Sequence, residues 1–189
     1  IKFLNLMKYN KQNILGISFM ILAMFSLSIN DITYKYLTYD FPVWEAIFFR
    51  ALSGSIVSIF LVYKSGISAL KTKKPVRHFI RATAAVGCVV LYIYGIKYLP
   101  LSENIAISHS APIIAALLAV PVLSEKLGIH RMFAILIGFI GVLIIVKPGT
   151  DLFQLKSLIP IGSAIFMAIG YLATRSIMST DTSISIVFY

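Results

Sequence analysis

Long apolar stretches alternate along this chain with short polar or basic breaks. A membrane-crossing helix takes about 20 mostly apolar residues, and the Pro, Gly and charge clusters divide the 189 residues into six runs of that kind. The predicted spans are 14–36, 42–62, 78–97, 101–123, 129–147 and 157–177, and a further apolar run opens near Ser183. This pattern predicts an all-α polytopic membrane protein with six helices and the beginning of a seventh. The first run, from about Ile14 to Leu37, is longer than the roughly 7–15 residues of a signal-peptide core and has no small-x-small site after it. It is expected to stay as an anchor. The chain opens on Ile1, with Met7 a candidate initiator, and closes on "SISIVFY" inside an apolar run. A truncated sequence is expected, and the remnant of a decayed gene is the rival reading.

Composition agrees with the pattern. Apolar residues make up 59% and charged residues only 13%, against about 25% charged in soluble domains; the mean hydropathy is +0.90. The net charge of +10 comes from 17 Lys and Arg against 7 Asp and Glu. These basic residues sit between the apolar runs and form no continuous patch, so they read as topology signals and nucleic acid is not an expected partner. The breaks "TYDF", "YLPL" and "KPGTDLFQLK" are charge-poor, whereas "KSGISALKTKKPVR" and "SEKLGIH" are basic. One side thus receives Lys2, Lys8, Lys11, Lys64, Lys71, Lys73, Lys74, Arg77, Arg81, Lys126, Arg131 and Arg175; the other receives Lys35, Lys97, Lys147 and Lys156. By the positive-inside rule the N-terminus is cytoplasmic. The Lys71 to Arg77 cluster would also suit anionic lipid heads at the same location. Cys88 is the single cysteine, which leaves no disulfide framework and no thiolate zinc site. No metal and no cofactor are expected.

A weak internal repeat adds a second level of order. "IGSAIFMAIGYLATRSIM" (161–178) resembles "GISFMILAMFSLSINDITYKYL" (16–37) in its small and aromatic residues and its late basic residue. Five spans separate the two starts, and an odd number puts the second copy upside down in the bilayer, as in secondary transporters built from inverted repeats.

Polar side chains inside the spans are the candidates for function, because an intramembrane charge is costly and needs an interior partner. At about 1.5 Å of rise per residue, Glu45 lies about 5 Å below the outer end of span 2 and Arg50 about 12 Å below it. Pro42 at a helix start and an acid in the first turn suit the positive end of the macrodipole, so Glu45 reads first as a helix-start acid above the stripe Phe49, Leu52, Ile56 and Ile59. Arg50 heads a different stripe, Ser53, Gly54, Val57 and Ser58, whose small side chains allow close approach or line a cavity. Span 1 brings Asp31 to about 7 Å from its own outer end, with Asn30 beside it. Asp31 has two candidate partners, Arg50 across the short loop and Lys35 at i, i+4.

Span 4 carries His109 at about 12 Å, level with Arg50. Two readings of it stand, a hydrogen-bonded packing residue and a proton-linked or substrate-contacting group. Pro112 should kink span 4 and free a carbonyl. Gly138 and Gly141 with Ala134, and Ala84, Gly87 and Gly95, read as packing faces. Tyr92, Tyr94 and Tyr98 could stack on a flat or cationic ligand, and Tyr94 and Tyr98 also suit an aromatic interface belt. "ISHSAP" supplies the Ser and His of a hydrolase, but adjacent Ser108, His109 and Ser110 point in different directions and no nucleophile elbow is visible. An enzyme is not expected.

"FPVWEAIFFR" after "NDITYKYL", followed by "YLPLSENIAISHSAPIIAALLAVPVLSEKLGIHRMFAILIGFIGVLIIVKPG", resembles the EamA-type drug/metabolite transporter superfamily over about residues 13–189. The resemblance implies ten helices in two inverted repeats of five, both termini cytoplasmic, and a central cavity worked by alternating access. It implies a cytoplasmic segment at 1–12, a first repeat at 13–149 and the start of a second at 150–189. Within the superfamily, the run from Asn30 to Arg50 most resembles S-adenosylmethionine uptake transporters of obligate intracellular bacteria, though exporters of drugs, amino acids and other metabolites share the framework. The expected partners are a small-molecule substrate and the lipid bilayer, with a homodimer left open. In this reading Arg50 anchors an anionic group, Asp31 balances it or meets a substrate cation, His109 senses protons or bonds substrate, Asn30 and Tyr92 complete the polar layer, and Pro42, Glu45, Pro112, Gly138 and Gly141 shape or gate the cavity.

Overall fold

The computed structural model describes residues 2–123, 128–146 and 155–189, with side chains from residue 13 onward except at 123. Helix α1 runs Lys2–Asp40, and its stretch Asn13–Asp40 is apolar and long enough to cross a membrane. Helix α2 is Val43–Ser65 and α3 is Pro75–Tyr98. The fourth span divides into α4, Leu101–Ser108, and α5, Ala111–Leu123. Helix α6 is Ile129–Val146, α7 is Leu158–Ile177 and α8 is Ser183–Phe188. Among the described residues six stretches meet the length and composition of a membrane crossing. The protein is an all-helical, multi-pass membrane protein, as the apolar pattern predicts. The Lys126 and Lys147 assignments and most of "SEKLGIH" and "KPGTDLFQLK" lie outside the described residues, as do the side chains of Lys2, Lys8 and Lys11.

The boundaries follow local chemistry. Pro42 is the residue before α2 and not its first helical position; its carbonyl accepts from the Glu45 amide at 3.0 Å, which places Glu45 in the first turn. Helix α2 ends at Gly66, whose φ of +84° is a left-handed conformation that a side chain would strain. A short 3-10 turn, Ile67–Leu70, leads on. Helix α3 starts three residues earlier than its apolar pattern suggests because Pro75, with its fixed φ and missing N–H, suits the first turn.

Span 4 departs most from expectation. It is not a kinked helix but a broken one, with a turn at His109 and Ser110. Pro112 has no amide to give the Ser108 carbonyl four residues back, and its ring crowds that carbonyl. The chain tightens ahead of it: the Ser110 amide bonds to the Ile107 carbonyl at 3.0 Å, and α5 restarts with Ile113 and Ile114 both bonding to the Ser110 carbonyl.

Helix α7 packs most extensively against α3 and next against α5. Small residues set that approach. A Cβ on Gly87 would lie 2.9 Å from the Phe166 ring, one on Gly162 2.9 Å from Leu91, and Ala84 faces Gly170. Gly138 of α6 lies against Ile113, where a Cβ would meet the side chain at 2.4 Å. At Gly141 a Cβ would meet nothing within 4 Å among the described residues. The outer faces of α1 and α2 stay apolar and uncovered, as with Phe25 and Phe60, both 63% exposed, which suits hydrocarbon around helices whose backbone bonds are internal.

Candidate functional site

The two-residue connection from Asp40 to Val43 makes α1 and α2 antiparallel neighbours, so the last third of α1 faces the first third of α2. Between them lies an open cavity of about 430 Å³. Its polar lining comes from Asn30, Thr33 and Tyr34 of α1 and from Glu45, Arg50 and Ser53 of α2; Leu37, Phe41, Ala46 and Phe49 supply the apolar wall.

Arg50 is the cavity's cation. Its Nη1 donates to Asn30 Oδ1 at 3.4 Å and to the Tyr34 hydroxyl at 3.5 Å, and its guanidinium lies 5.8 Å from the centre of the Tyr34 ring. These partners are neutral, and both bonds are long. Among the described residues no contact ion pair joins Asp31 to Arg50, nor Asp31 to Lys35. Asp31 instead accepts a hydrogen bond from the Tyr92 hydroxyl, with the Arg50 guanidinium also near it. The structure thus separates the expected polar layer into two adjoining groups. Asn30 and Arg50 line the cavity, Asp31 and Tyr92 pair outside its lining, and the His109 side chain is exposed.

Glu45 has two attributes at once. It occupies the first turn of α2, where the macrodipole favours an acid, and it lines the same cavity as Arg50. Tyr34, which sequence reasoning overlooks, is 6% exposed and bonds Arg50. Its signal was available, since it lies one helical turn from Asn30 at i, i+4 and so shares its face.

Lys35 also takes an unexpected place. Its Nζ donates to the carbonyls of Ile96 at 2.7 Å and Leu99 at 2.8 Å, at the C-terminal end of α3, where carbonyls lack helical partners and the dipole favours a cation. Lys35→Met should therefore cost about 1–3 kcal/mol, read as a lowered midpoint of denaturant unfolding with the helix content unchanged.

Tyr94 stacks on Tyr98 at 6.3 Å and meets Trp44 edge-on at 6.0 Å, while Lys156 lies 5.3 Å over the Tyr98 ring. This is an aromatic cluster at the span ends, apart from the Arg50 cavity. Below it, Asn104 is fully buried and its Nδ2 reaches the Tyr92 carbonyl at 3.4 Å. Its Oδ1 sits where a Cβ on Gly95 would be, at 1.9 Å. Gly95 thus leaves the room on α3 that Asn104 occupies. Pro112 borders a different cavity, between α5 and α7, with Arg131 and Arg175 on its rim.

The chain is 30% identical over 179 residues to the S-adenosylmethionine uptake transporter of Rickettsia felis, which covers 95% of this chain and 61% of that protein. It is 34% identical over 122 residues to a riboflavin transporter of Vibrio cholerae, covering 64% of this chain and 41% of that one. A pseudopaline exporter of Pseudomonas aeruginosa is 25% identical over 175 residues, 92% of this chain and 61% of the exporter. The chain spans about three fifths of the length of the S-adenosylmethionine transporters it matches. No solved structure matches it. Residues 14–147 match the EamA-like transporter family, and with most of its length so matched, from α1 to the end of α6, the chain belongs to that family.

Proposed function

We propose that the protein is a secondary carrier that moves a small zwitterionic metabolite across the bacterial inner membrane by alternating access, with S-adenosylmethionine uptake the favoured case. In this reading the N-terminus is cytoplasmic, residues 13–149 form a first repeat, and a second, inverted repeat begins at 150. The observation that carries it is Arg50, a cation within a membrane span that lines a cavity and holds only long bonds to neutral groups. An arginine so placed offers a fork for a carboxylate.

Glu45 supplies the opposite charge. It lines the same cavity as Arg50, about 7–8 Å from it along the helix axis and roughly 140° round the helix, so the two charges face one solute from different sides. The aromatic wall of Phe41, Phe49 and Tyr34 suits an adenine ring or a sulfonium cation. Relatives that carry S-adenosylmethionine support this choice. The pseudopaline exporter keeps export of a related solute as the alternative direction.

The test is competition against radiolabelled S-adenosylmethionine on the purified protein in nanodiscs. Unlabelled S-adenosylmethionine should compete, and its decarboxylated form should compete about 100-fold less well, since it offers nothing to Arg50. Equal competition by the two, or stronger competition by riboflavin, would remove Arg50 as the carboxylate anchor.

A further inference from the structure

At the end of the bundle opposite the Arg50 cavity, the start of α3 is tied to the turn between α7 and α8. His78 Nε2 lies 2.7 Å from Asp181 Oδ2; His78 is 3% exposed and the Asp181 side chain is fully buried. The Thr72 hydroxyl donates to the same Asp181 oxygen and itself accepts from the Lys74 amide. Two further ties run in parallel, Lys74 Nζ to the Ser176 carbonyl at 2.8 Å and Thr182 Oγ1 to the Ala69 carbonyl at 2.7 Å. The Thr72 hydroxyl first, and His78 second, hold the Asp181 carboxyl well below the usual carboxylate range, so it is charged at neutral pH.

This arrangement has the character of a fastening that can open. Among the described residues His78 Nδ1 and Asp181 Oδ1 are buried with no hydrogen-bond partner. A buried polar pair with unmet hydrogen bonds gives up part of its attraction to desolvation, and parting it would let water reach both idle atoms. It also sits at the mouth of the main seam of the fold, the packing of α3 on α7. From Arg50 the pair is separated by most of the length of α2, whose 23 residues span about 35 Å.

We propose that the His78–Asp181 pair is a latch that closes the α3–α7 seam at this end and parts when the carrier opens there. The proposal rests on the alternating-access reading, which needs one end shut while the other admits substrate. Thr72 is a positioning residue that aims the Asp181 carboxylate at His78.

Cys88 reports on the seam. It is the only cysteine of the sequence, it is half-buried, and its carbonyl accepts from Ser163 Oγ of α7 at 3.0 Å. Its alkylation by N-ethylmaleimide, followed by mass spectrometry in nanodiscs, should run about tenfold faster in Asp181→Asn and in His78→Phe, each of which loses a charge-assisted contact. The exchanged double variant, His78→Asp with Asp181→His, should return to within about threefold of the wild type, because it restores the pair. Single variants that label at the wild-type rate overturn the latch. So does an exchanged variant as reactive as the singles, whether through an open seam or a misfolded chain. Cys88 labelling reads the latch whatever the substrate, whereas absent S-adenosylmethionine binding in the wild type would count against the functional reading alone.

Discussion

If Arg50 is the carboxylate anchor proposed above, Arg50→Ala should weaken binding of S-adenosylmethionine about 100-fold and abolish any preference over its decarboxylated form. The guanidinium supplies two parallel charge-assisted bonds to a carboxylate, each worth about 1.5–3 kcal/mol when one partner is charged, and 1.4 kcal/mol is a factor of ten in affinity. Alanine leaves Asn30 and Tyr34, whose bonds to Arg50 are long and neutral at their far ends. Arg50→Lys should recover part of the loss, ending about tenfold below wild type, because it keeps the charge but not the planar fork. Binding isotherms for the two variants and both ligands check all four values. A variant with alanine at position 50 that still discriminates between the ligands would assign the carboxylate to another residue.

Gly95→Ala should destabilise the protein by about 1–3 kcal/mol. The added Cβ would lie 1.9 Å from Asn104 Oδ1, and Asn104 is fully buried with no route to solvent. Relieving the clash either forces the backbones of α3 and α4 apart, an overpacking cost of about 1–3 kcal/mol, or rotates the amide out of reach of the Tyr92 carbonyl and strands it, at a similar cost. Adding Asn104→Ala to Gly95→Ala removes the clashing amide and should recover most of the loss, a coupling that two independent sites would not show. Denaturant titration of the four proteins measures it. Full stability of the Gly95→Ala variant would mean that Asn104 has another seat. Because the Tyr92 hydroxyl meets Asp31, the same variant should also disturb the Asp31–Tyr92 pair.

Much of this architecture is legible in the sequence, and the reasons differ by element. The spans follow from the apolar runs alone, since length and hydropathy decide what can cross a bilayer; α2, predicted to start at Pro42, begins one residue later. The break in span 4 was foreshadowed by Pro112, yet its severity was not, because a kink and a full turn differ in how the two residues before the proline pair their amides. Helical rise placed Asp31, Arg50 and His109 near one depth, but depth does not say which way a side chain leans. Asp31 turned to Tyr92, and Lys35 to the end of α3. Those choices depend on the C-terminal part of α3, whose partner residues lie 61 and 64 positions from Lys35 and whose unpaired carbonyls no local pattern reveals. Glu45 illustrates the converse. Its position in the first turn was right, and its sharing of a cavity with Arg50 came only from the packing of α1 on α2.

The proposal that Arg50 holds the carboxylate of a transported zwitterion is tested most directly by uptake. Proteoliposomes reconstituted with the complete protein should accumulate radiolabelled S-adenosylmethionine, with the initial rate at low substrate about 100-fold lower for Arg50→Ala and partly restored for Arg50→Lys. Uptake by the Arg50→Ala protein at the wild-type rate would contradict the account.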